Sequence, residues 1–239
     1  MITFYILFFI CMQFTLSQST DINSSFEITD SQLKTLFNFI QEEIDSDFEY
    51  YSYNDEPEVY LLKNKLGILI KADLDVCTDG SPDNKQEKCT DNTQFCIDKH
   101  YQKATAYSIN GRYLNADKIN YMVLPQEKYL EWGVVLGDFG FIVNWNTKKL
   151  VFALFGETGP DSKIGEGSIC AAKQLGFCPC ISTSNGKNKL VGISKDVYYI
   201  VFGNSKSLLS SITSENVNEI ITVVGLDLLK EKYGIQIEQ

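Results

Sequence analysis

The spacing of short apolar runs constrains the fold of this chain more than any other feature of its sequence. From residue 59 to residue 202, such runs alternate with turns rich in Gly, Asp, Asn and Pro, a pattern typical of β-strands. The strands predicted in this way are residues 59–62, 66–72, 121–124, 133–136, 139–145, 150–155 and 197–202. Many short strands with few helices favour a β-rich α+β fold, built on a small closed or barrel-like sheet with peripheral helices.

Three helices are predicted around this sheet. Asp30 is a candidate cap for the first helix, in which apolar residues recur at helical spacing and form a packing face, namely Leu33, Leu36, Phe37, Ile40 and Ile44. A short helix is predicted over residues 168–175, and a last one over residues 214–233, after a cap at Thr213 or Ser214. An acidic linker over residues 42–58 is the best candidate boundary before the β-rich part.

The N-terminus is typical of a secretory signal peptide. Residues 1–17 carry no charge, and the small residues Thr15 and Ser17 fit the −3 and −1 positions of a cleavage site. An uncleaved membrane anchor and a buried strand are the alternatives, although the apolar run is short for a span of about 20 residues. We therefore predict a secreted protein, with an N-glycosylation site at Asn23.

Cysteine usage agrees with secretion. Apart from Cys11 the chain has six cysteines, an even number that predicts three disulfides, at least one of them within the loop of Cys77, Cys89 and Cys96. Six cysteines allow 15 pairings, and the sequence does not choose among them. A zinc site at Cys178 and Cys180 is disfavoured because Cys-x-Cys is not the usual zinc spacing and His100 is the single histidine. No metal and no cofactor are predicted.

The charge balance limits the classes of partner. The formal net charge is −10, which disfavours nucleic acids and anionic lipids and attracts polycations. Acidity that serves only solubility is the alternative reading.

Two carboxylates are the principal candidates for catalysis. Glu157 and Glu166 lie nine positions apart, across a Gly/Pro/Asp turn between a predicted strand and a predicted helix. A pair of carboxylates held on rigid elements is what glycoside hydrolysis requires, since one protonates the leaving oxygen and the other activates water or attacks directly. Solvated, inert acids at a turn are the alternative.

Four blocks of sequence, in order, resemble the fungal chitosanases of glycoside hydrolase family 75. One block, residues 155–169, contains FGETG and IGEGSI, which resemble the family's FGDTxG and IGE(A/G)SI. Similar blocks are KADLDVCTDG at 71–80, YLNADKINYMVLP at 113–125 and DVYYIVF at 196–202. The strand–Gly–acid–Thr–Gly turn is also similar to that of double-psi barrels in several small polysaccharide hydrolases.

The resemblance implies a secreted endo-chitosanase that cleaves β-1,4-linked glucosamine chains with inversion, and it places the two catalytic acids on Glu157 and Glu166. The family normally has aspartate at the first position. Glutamate at 157 leaves three options: an active variant, a changed substrate, or a weakly active binding protein. We expect Glu166 to be the general acid and Glu157 the base, although the sequence also permits the reverse.

Three aspartates, Asp73, Asp75 and Asp79, are candidates for binding the ammonium groups of chitosan. A metal site and turn-stabilising roles are the alternatives. Asp138 is expected to be structural, and Trp132 and Trp145 are read either as sugar-stacking or as core residues.

The domain organisation follows from these readings. Residues 1–17 are the signal peptide, 18–58 a helical and acidic lead, 59–205 the catalytic domain and 206–239 a C-terminal helix packed on it. We expect a monomer that binds chitosan or a related glucosamine polysaccharide, and neither nucleic acid nor, after signal cleavage, membrane. The alternative functions are a carbohydrate-binding module without turnover and a hydrolase of chitin or peptidoglycan.

Overall fold

The structure is a computed structural model that describes residues 25–48, 57–89 and 91–237. Its three helices are α1 (Asp30–Glu42), α2 (Ile169–Gln174) and α3 (Val217–Tyr233). The strands in chain order are β1 (Ser25–Glu27), β2 (Ile44–Phe48), β3 (Glu58–Leu62), β4 (Gly67–Cys77), β5 (Lys85–Lys88), β6 (Asp91–Ile97), β7 (Ser108–Ile109), β8 (Arg112–Tyr113), β9 (Tyr121–Pro125), β10 (Phe139–Asn144), β11 (Lys149–Gly159), β12 (Glu166–Ser168), β13 (Cys180–Ser182), β14 (Asn188–Leu190) and β15 (Ile193–Phe202).

Six strands close into a barrel, which confirms the predicted β-rich fold with a closed sheet. Their order is β12-β9-β11-β10-β15-β4, and the pairing of β12 with β4 completes the ring. Strands β3 and β2 continue the sheet beyond β4, and β1 pairs with β11. The hairpins β5–β6, β7–β8 and β13–β14 form separate small sheets.

One contact across the ring identifies the barrel interior. Strands β10 and β12 lie on opposite sides of the closed sheet. Ile142 Cδ1 on β10 lies 3.6 Å from the point where a Cβ on Gly167 of β12 would sit, so both positions face inward. Buried side chains from the other strands cluster with Ile142 and fill the barrel, among them Ile68, Ile70, Leu74, Met122, Leu124, Val151, Ala153, Phe155, Tyr199 and Val201.

The outer face of the barrel is covered by helices α1 and α3. A second cluster of buried residues joins this face to the helices and contains Leu33, Leu36, Ile40, Phe141, Phe152, Leu154, Val217, Ile221 and Leu229. The predicted packing face of the first helix is therefore confirmed for Leu33, Leu36 and Ile40, with Phe37 partly buried against the same cluster, whereas Ile44 lies in strand β2 and not in the helix. Its cap is Thr29 rather than Asp30, since the Thr29 hydroxyl accepts the backbone N–H of Gln32.

Several predicted boundaries were wrong. Residues 133–136 form a turn and no strand: Gly133 has a positive φ of 75°, and Val134 is buried there, so its apolar character reflects packing of the turn. Helix α3 begins at Val217 because the chain before it forms a turn capped by the Thr213 hydroxyl, which accepts the backbone N–H of Asn216. Residues 44–48 form strand β2, which pairs with β3, where a linker was expected.

The expectation of three disulfides was wrong. Cys89 is bonded to Cys178 and Cys96 to Cys180, whereas Cys77 and Cys170 are free and buried. Both bonds join the β5–β6 hairpin to the segment around β13, so neither lies within the loop that was expected to be closed internally. The sequence could not show this because the partners are 89 and 84 residues apart.

Some expectations concern residues outside the described ranges. These are the signal peptide at 1–17, the glycosylation site at Asn23 and residues 49–56 of the expected linker. The division of the chain into lead, catalytic domain and C-terminal helix stays a prediction. Among the described residues, no helix has the length and apolar character that crossing a membrane would require.

Candidate active site

A β-bulge at Gly156 sets the direction of the first candidate acid. The register of β11 with β9 pairs Phe155 with Met122 and Glu157 with Val123, so Gly156 is the extra residue. Phe155 and Met122 belong to the barrel interior, and Val123 belongs to the outer cluster. The bulge therefore places Glu157 on the outer face, where regular alternation would have pointed it into the barrel.

Four neighbouring strands bring the candidate residues into one row on this outer face. Val123 on β9 pairs with Glu157 on one side and with Glu166 of β12 on the other. Glu166 in turn pairs with Asp75 of β4. The two glutamates thus flank one strand, and since neighbouring strands lie about 4.8 Å apart, their backbones are separated by about 10 Å.

Glu157 is held by backbone groups in a buried setting. The carboxylate oxygens accept the N–H of Ala106 at 2.9 Å and the N–H of Thr158 at 2.6 Å. The residue is only 7% exposed, and burial raises the pKa of its carboxyl to about 7, against the opposing effect of these two hydrogen bonds. Asp79 and Glu166 add smaller contributions of the same upward sign. Glu157 can therefore carry a proton near neutral pH.

Glu166 has a different electrostatic environment. Burial raises the pKa of its carboxyl above the ordinary value, and the ammonium of Lys163, whose Nζ lies 3.3 Å from Glu166 Oε1, reduces that rise without cancelling it. Lys163 Nζ also lies 3.2 Å from Asp75 Oδ2. Among the described residues, no Lys, Arg or His makes an ion pair with Glu157. A cation thus accompanies only one of the two glutamates.

Two glycines keep the space around Glu166 open. Gly165 has φ +84°, and a Cβ there would come within 2.3 Å of Asp73 Oδ1, so no side chain fits. A Cβ on Gly159 would lie 3.2 Å from Val123 Cγ1 and 3.6 Å from Glu166 Oε2. The glycines of the two motifs therefore allow β12 to approach β4 closely and leave the surface beside Glu166 uncovered.

Both glutamates line a cleft of about 430 Å³, which lies within the usual size range of ligand pockets. Carboxylates dominate its charged groups, with Lys163 and His100 as the basic residues. The described residues that line it include none of Phe, Tyr or Trp, and they are Asp75, Val76, Cys77, Asp79, Asp98, His100, Gln102, Val123, Glu157, Thr158, Gly159, Pro160, Lys163, Glu166, Leu190, Val191 and Gly192.

The three candidate substrate-binding aspartates occupy different positions. Asp75 and Asp79 line the cleft, whereas Asp73 lies beside Gly165 and is not among the lining residues. Asp79 accepts the backbone N–H of Gln102 at 2.7 Å, and burial raises the pKa of its carboxyl. Within the described residues, no group of three or more His, Cys, Asp or Glu is arranged to hold a metal ion.

The structure places the other candidate side chains in packing or turn roles. Asp138 is fully buried and accepts the backbone N–H groups of Val135, Asn204 and Lys206, as expected for a structural residue. Trp132 is buried in the core, and Trp145 packs edge-on against Phe37. Neither tryptophan lines the cleft.

Sequence reasoning missed two charged residues of the cleft, Lys163 and Asp98. Lys163 stands three residues before Glu166 within the same turn, and this position was the one signal that could have drawn attention to it. Asp98 accepts the hydroxyl of Thr78 at 2.6 Å and the backbone N–H of His100 at 2.8 Å. Asp98 is brought to the cleft by the fold of its loop, and no local sequence pattern predicts this position.

A closed barrel that presents two carboxylates across a cleft is an arrangement suited to a two-carboxylate glycoside hydrolase. Residues 74–229 match the family of fungal chitosanases of glycosyl hydrolase group 75. The match spans about two thirds of the 239 residues, and the chain belongs to this family. The protein is thus a chitosanase-type glycoside hydrolase, which confirms the resemblance seen in the sequence. No curated protein matches the chain significantly.

Proposed function

We propose that the protein is a secreted endo-chitosanase that hydrolyses β-1,4-glucosamine linkages with inversion, using Glu157 and Glu166 as its two carboxylates. The observation that carries this proposal is the placement of both glutamates on one face, on either side of Val123, in an acidic cleft. The disulfides of the β5–β6 and β13–β14 region and the uncharged N-terminus support secretion.

The spacing of the two acids supports inversion. Inverting glycosidases keep their carboxyl groups roughly 6.5–9.5 Å apart to admit a water, whereas retaining enzymes hold them about 5–5.5 Å apart. Backbones about 10 Å apart on one face, on either side of Val123, suit the larger separation.

The charge environment supports Glu157 as general acid and Glu166 as general base, the reverse of the sequence-based expectation. Glu157 has no cationic partner among the described residues, and burial raises its pKa to about 7. Burial raises the pKa of Glu166 as well, but Glu166 is paired with Lys163, whose positive charge favours the ionised carboxylate. The group that holds a proton near neutral pH suits the acid, and the group beside a cation suits the base.

The proposed reaction is a single displacement. Glu166 takes a proton from a water as the water oxygen bonds to the anomeric carbon, and Glu157 gives its proton to the glycosidic oxygen as that bond breaks. The products are two shorter chains, and the new reducing end has the α configuration. A proton must then pass from Glu166 to Glu157, by way of solvent, before the next turnover.

The composition of the cleft supports a cationic substrate. Five carboxylates line it, those of Asp75, Asp79, Asp98, Glu157 and Glu166, and Lys163 is the only lysine or arginine among the lining residues that the structure describes. Without Phe, Tyr or Trp there, binding depends on charge more than on stacking. Protonated glucosamine units meet this requirement, whereas the acetylated units of chitin do not.

The test is a reducing-end assay with chitosan, chitin and peptidoglycan, combined with NMR of the anomeric protons formed first. We expect cleavage of chitosan with an α-configured product, a Michaelis constant that rises with salt, and at least about 100-fold lower turnover in both Glu157→Gln and Glu166→Gln. Equal cleavage of chitin without a salt effect would favour another glucosamine polymer. Binding of chitosan without hydrolysis would show a carbohydrate-binding module.

A further inference from the structure

Lys163 occupies a position that the catalytic pair alone does not explain. Its ammonium lies between two carboxylates, 3.2 Å from Asp75 Oδ2 and 3.3 Å from Glu166 Oε1. Its side chain is 32% exposed, compared with 16% for Glu166 and 40% for Asp75. The ion pair with Glu166 is therefore better shielded from water than the ion pair with Asp75, and solvent screens its charges less.

The strand register makes a cation necessary at this point. Asp75 and Glu166 are direct partners on adjacent parallel strands, and both side chains face outward from the barrel. Like charges in directly opposite positions of a sheet repel, and two carboxylates that share a site hold a proton on one of them. Glu166 is the more buried of the two, so without Lys163 it would be the group that retains the proton.

Asp79, in the segment after β4, has the same effect on Glu166 as Asp75. Glu157 on β11 carries its own proton as the proposed acid, and β9 contributes only the apolar Val123 to the row. Burial, Asp75 and Asp79 raise the pKa of Glu166 overall, and Lys163 is the group that limits the rise. Burial lowers the pKa of Lys163 itself, but the charges of Glu166 and Asp75 outweigh that effect, so the ammonium stays protonated.

We propose that Lys163 is a positioning residue of the reaction, which cancels the charge of Asp75 beside Glu166 and so keeps Glu166 ionised to accept a proton from water. This inference rests on the proposed role of Glu166 as the base. It also implies that Asp75 does not present a free charge to the substrate, because Lys163 already neutralises it. Recognition of glucosamine ammonium groups then falls mainly to the carboxylates near Glu157.

The decisive measurement is the pH dependence of kcat/KM on a soluble chitosan oligomer, since its acidic limb reports the base of the free enzyme. An opposite charge at this distance lowers a carboxyl pKa by about 1–3 units. We therefore expect the acidic limb of Lys163→Gln to move up by about one pH unit, with about tenfold lower activity on that limb. Lys163→Arg should keep the limb near its wild-type position.

A second substitution separates charge balance from substrate contact. In the double variant Asp75→Asn/Lys163→Gln, the like charge is removed together with the cation, so the acidic limb should return toward its wild-type position. If Lys163 instead binds the substrate, Lys163→Gln raises KM without moving the limb, and that outcome overturns the proposal. So does a limb that stays displaced in the double variant.

Lys71→Gln is the matched control. Lys71 forms a comparably exposed ion pair with Glu58 on the sheet surface, at side-chain exposures of 36% and 45%, and lies outside the cleft. Its loss should leave the pH profile unchanged. Thermal unfolding of each variant shows whether the fold is retained, and Lys163→Arg keeps the test usable if Lys163→Gln does not fold.

A titration of glutamate carboxyl ¹³C signals, with Glu166 assigned from the Glu166→Gln variant, tests the same inference without substrate. The Glu166 signal should titrate at higher pH in Lys163→Gln than in the wild type, and an unchanged titration overturns the proposal. If no variant and no wild-type protein hydrolyses chitosan, the proposed function fails, while this titration still decides the role of Lys163.

Discussion

The raised pKa of Glu157 predicts how the folding stability of the protein depends on pH. A carboxyl whose pKa is higher in the folded than in the unfolded chain binds more protons when folded, so folding is favoured at low pH. The displacement runs from the ordinary value of 4.5 to about 7. The contribution of Glu157 to stability is therefore fully present below about pH 4.5 and is lost as the pH rises toward 7. Above that pH this contribution no longer changes.

The expected size of the effect follows from that displacement. A pKa difference of one between the folded and unfolded chain corresponds to about 1.4 kcal/mol. Ionisation of buried Glu157 therefore lowers the free energy of unfolding by about 3 kcal/mol above neutral pH. For a chain of this size, 1 kcal/mol changes the melting temperature by about 2–4 °C, which gives a decrease of about 6–12 °C. Burial is the physical cause, because the charged carboxylate loses its hydration in a site that lacks a cationic partner among the described residues.

The assay compares wild type with Glu157→Gln, by urea unfolding and by thermal unfolding, at pH 4, 6 and 8. The variant has no ionisation at this position, although its amide can leave one of the two backbone N–H donors unpaired and lower stability by a constant amount. The prediction therefore concerns the slope: wild type should lose about 3 kcal/mol more than the variant between pH 4 and pH 8. Parallel curves for the two proteins would refute the reasoning.

Three further predictions concern the free cysteines, Gly165 and the length of the side chain at position 157. Thiol titration of denatured, unreduced protein should find two free thiols, Cys77 and Cys170, with a third only if Cys11 is retained, and a count of zero would contradict the disulfide pairing. Gly165→Ala should lower turnover and should lower stability by about 2 kcal/mol or more, because Gly165 has a positive φ and the new methyl group would overlap Asp73. Crystallographic or NMR data that show β12 unmoved in this variant would contradict the prediction. Glu157→Asp should reduce turnover on the order of 100-fold in initial-rate assays, since the shorter side chain withdraws the carboxyl by about 1 Å from its present position, and unchanged turnover would show that the backbone adapts.

Local patterns in the sequence located six strands of the main sheet and nominated the two candidate acids. The apolar runs predicted β3, β4, β9, β10, β11 and β15, because strands buried on both faces, such as β9 and β10, are continuous runs of apolar residues. Leu33, Leu36 and Ile40 showed the buried face of α1 in the same way. The motifs around Glu157 and Glu166 also carried the glycines that their neighbouring strands require.

The tertiary structure alone decided how these parts act together. The bulge at Gly156, read from the pairing with β9, turns Glu157 outward, and closure of the ring through β12 and β4 places Asp75 beside Glu166. The need for Lys163 follows from that closure, as does the difference in charge environment between the two glutamates. Register, ring closure and disulfide pairing all depend on contacts between residues far apart in the chain. A single sequence shows which residues are present but not which of them come into contact.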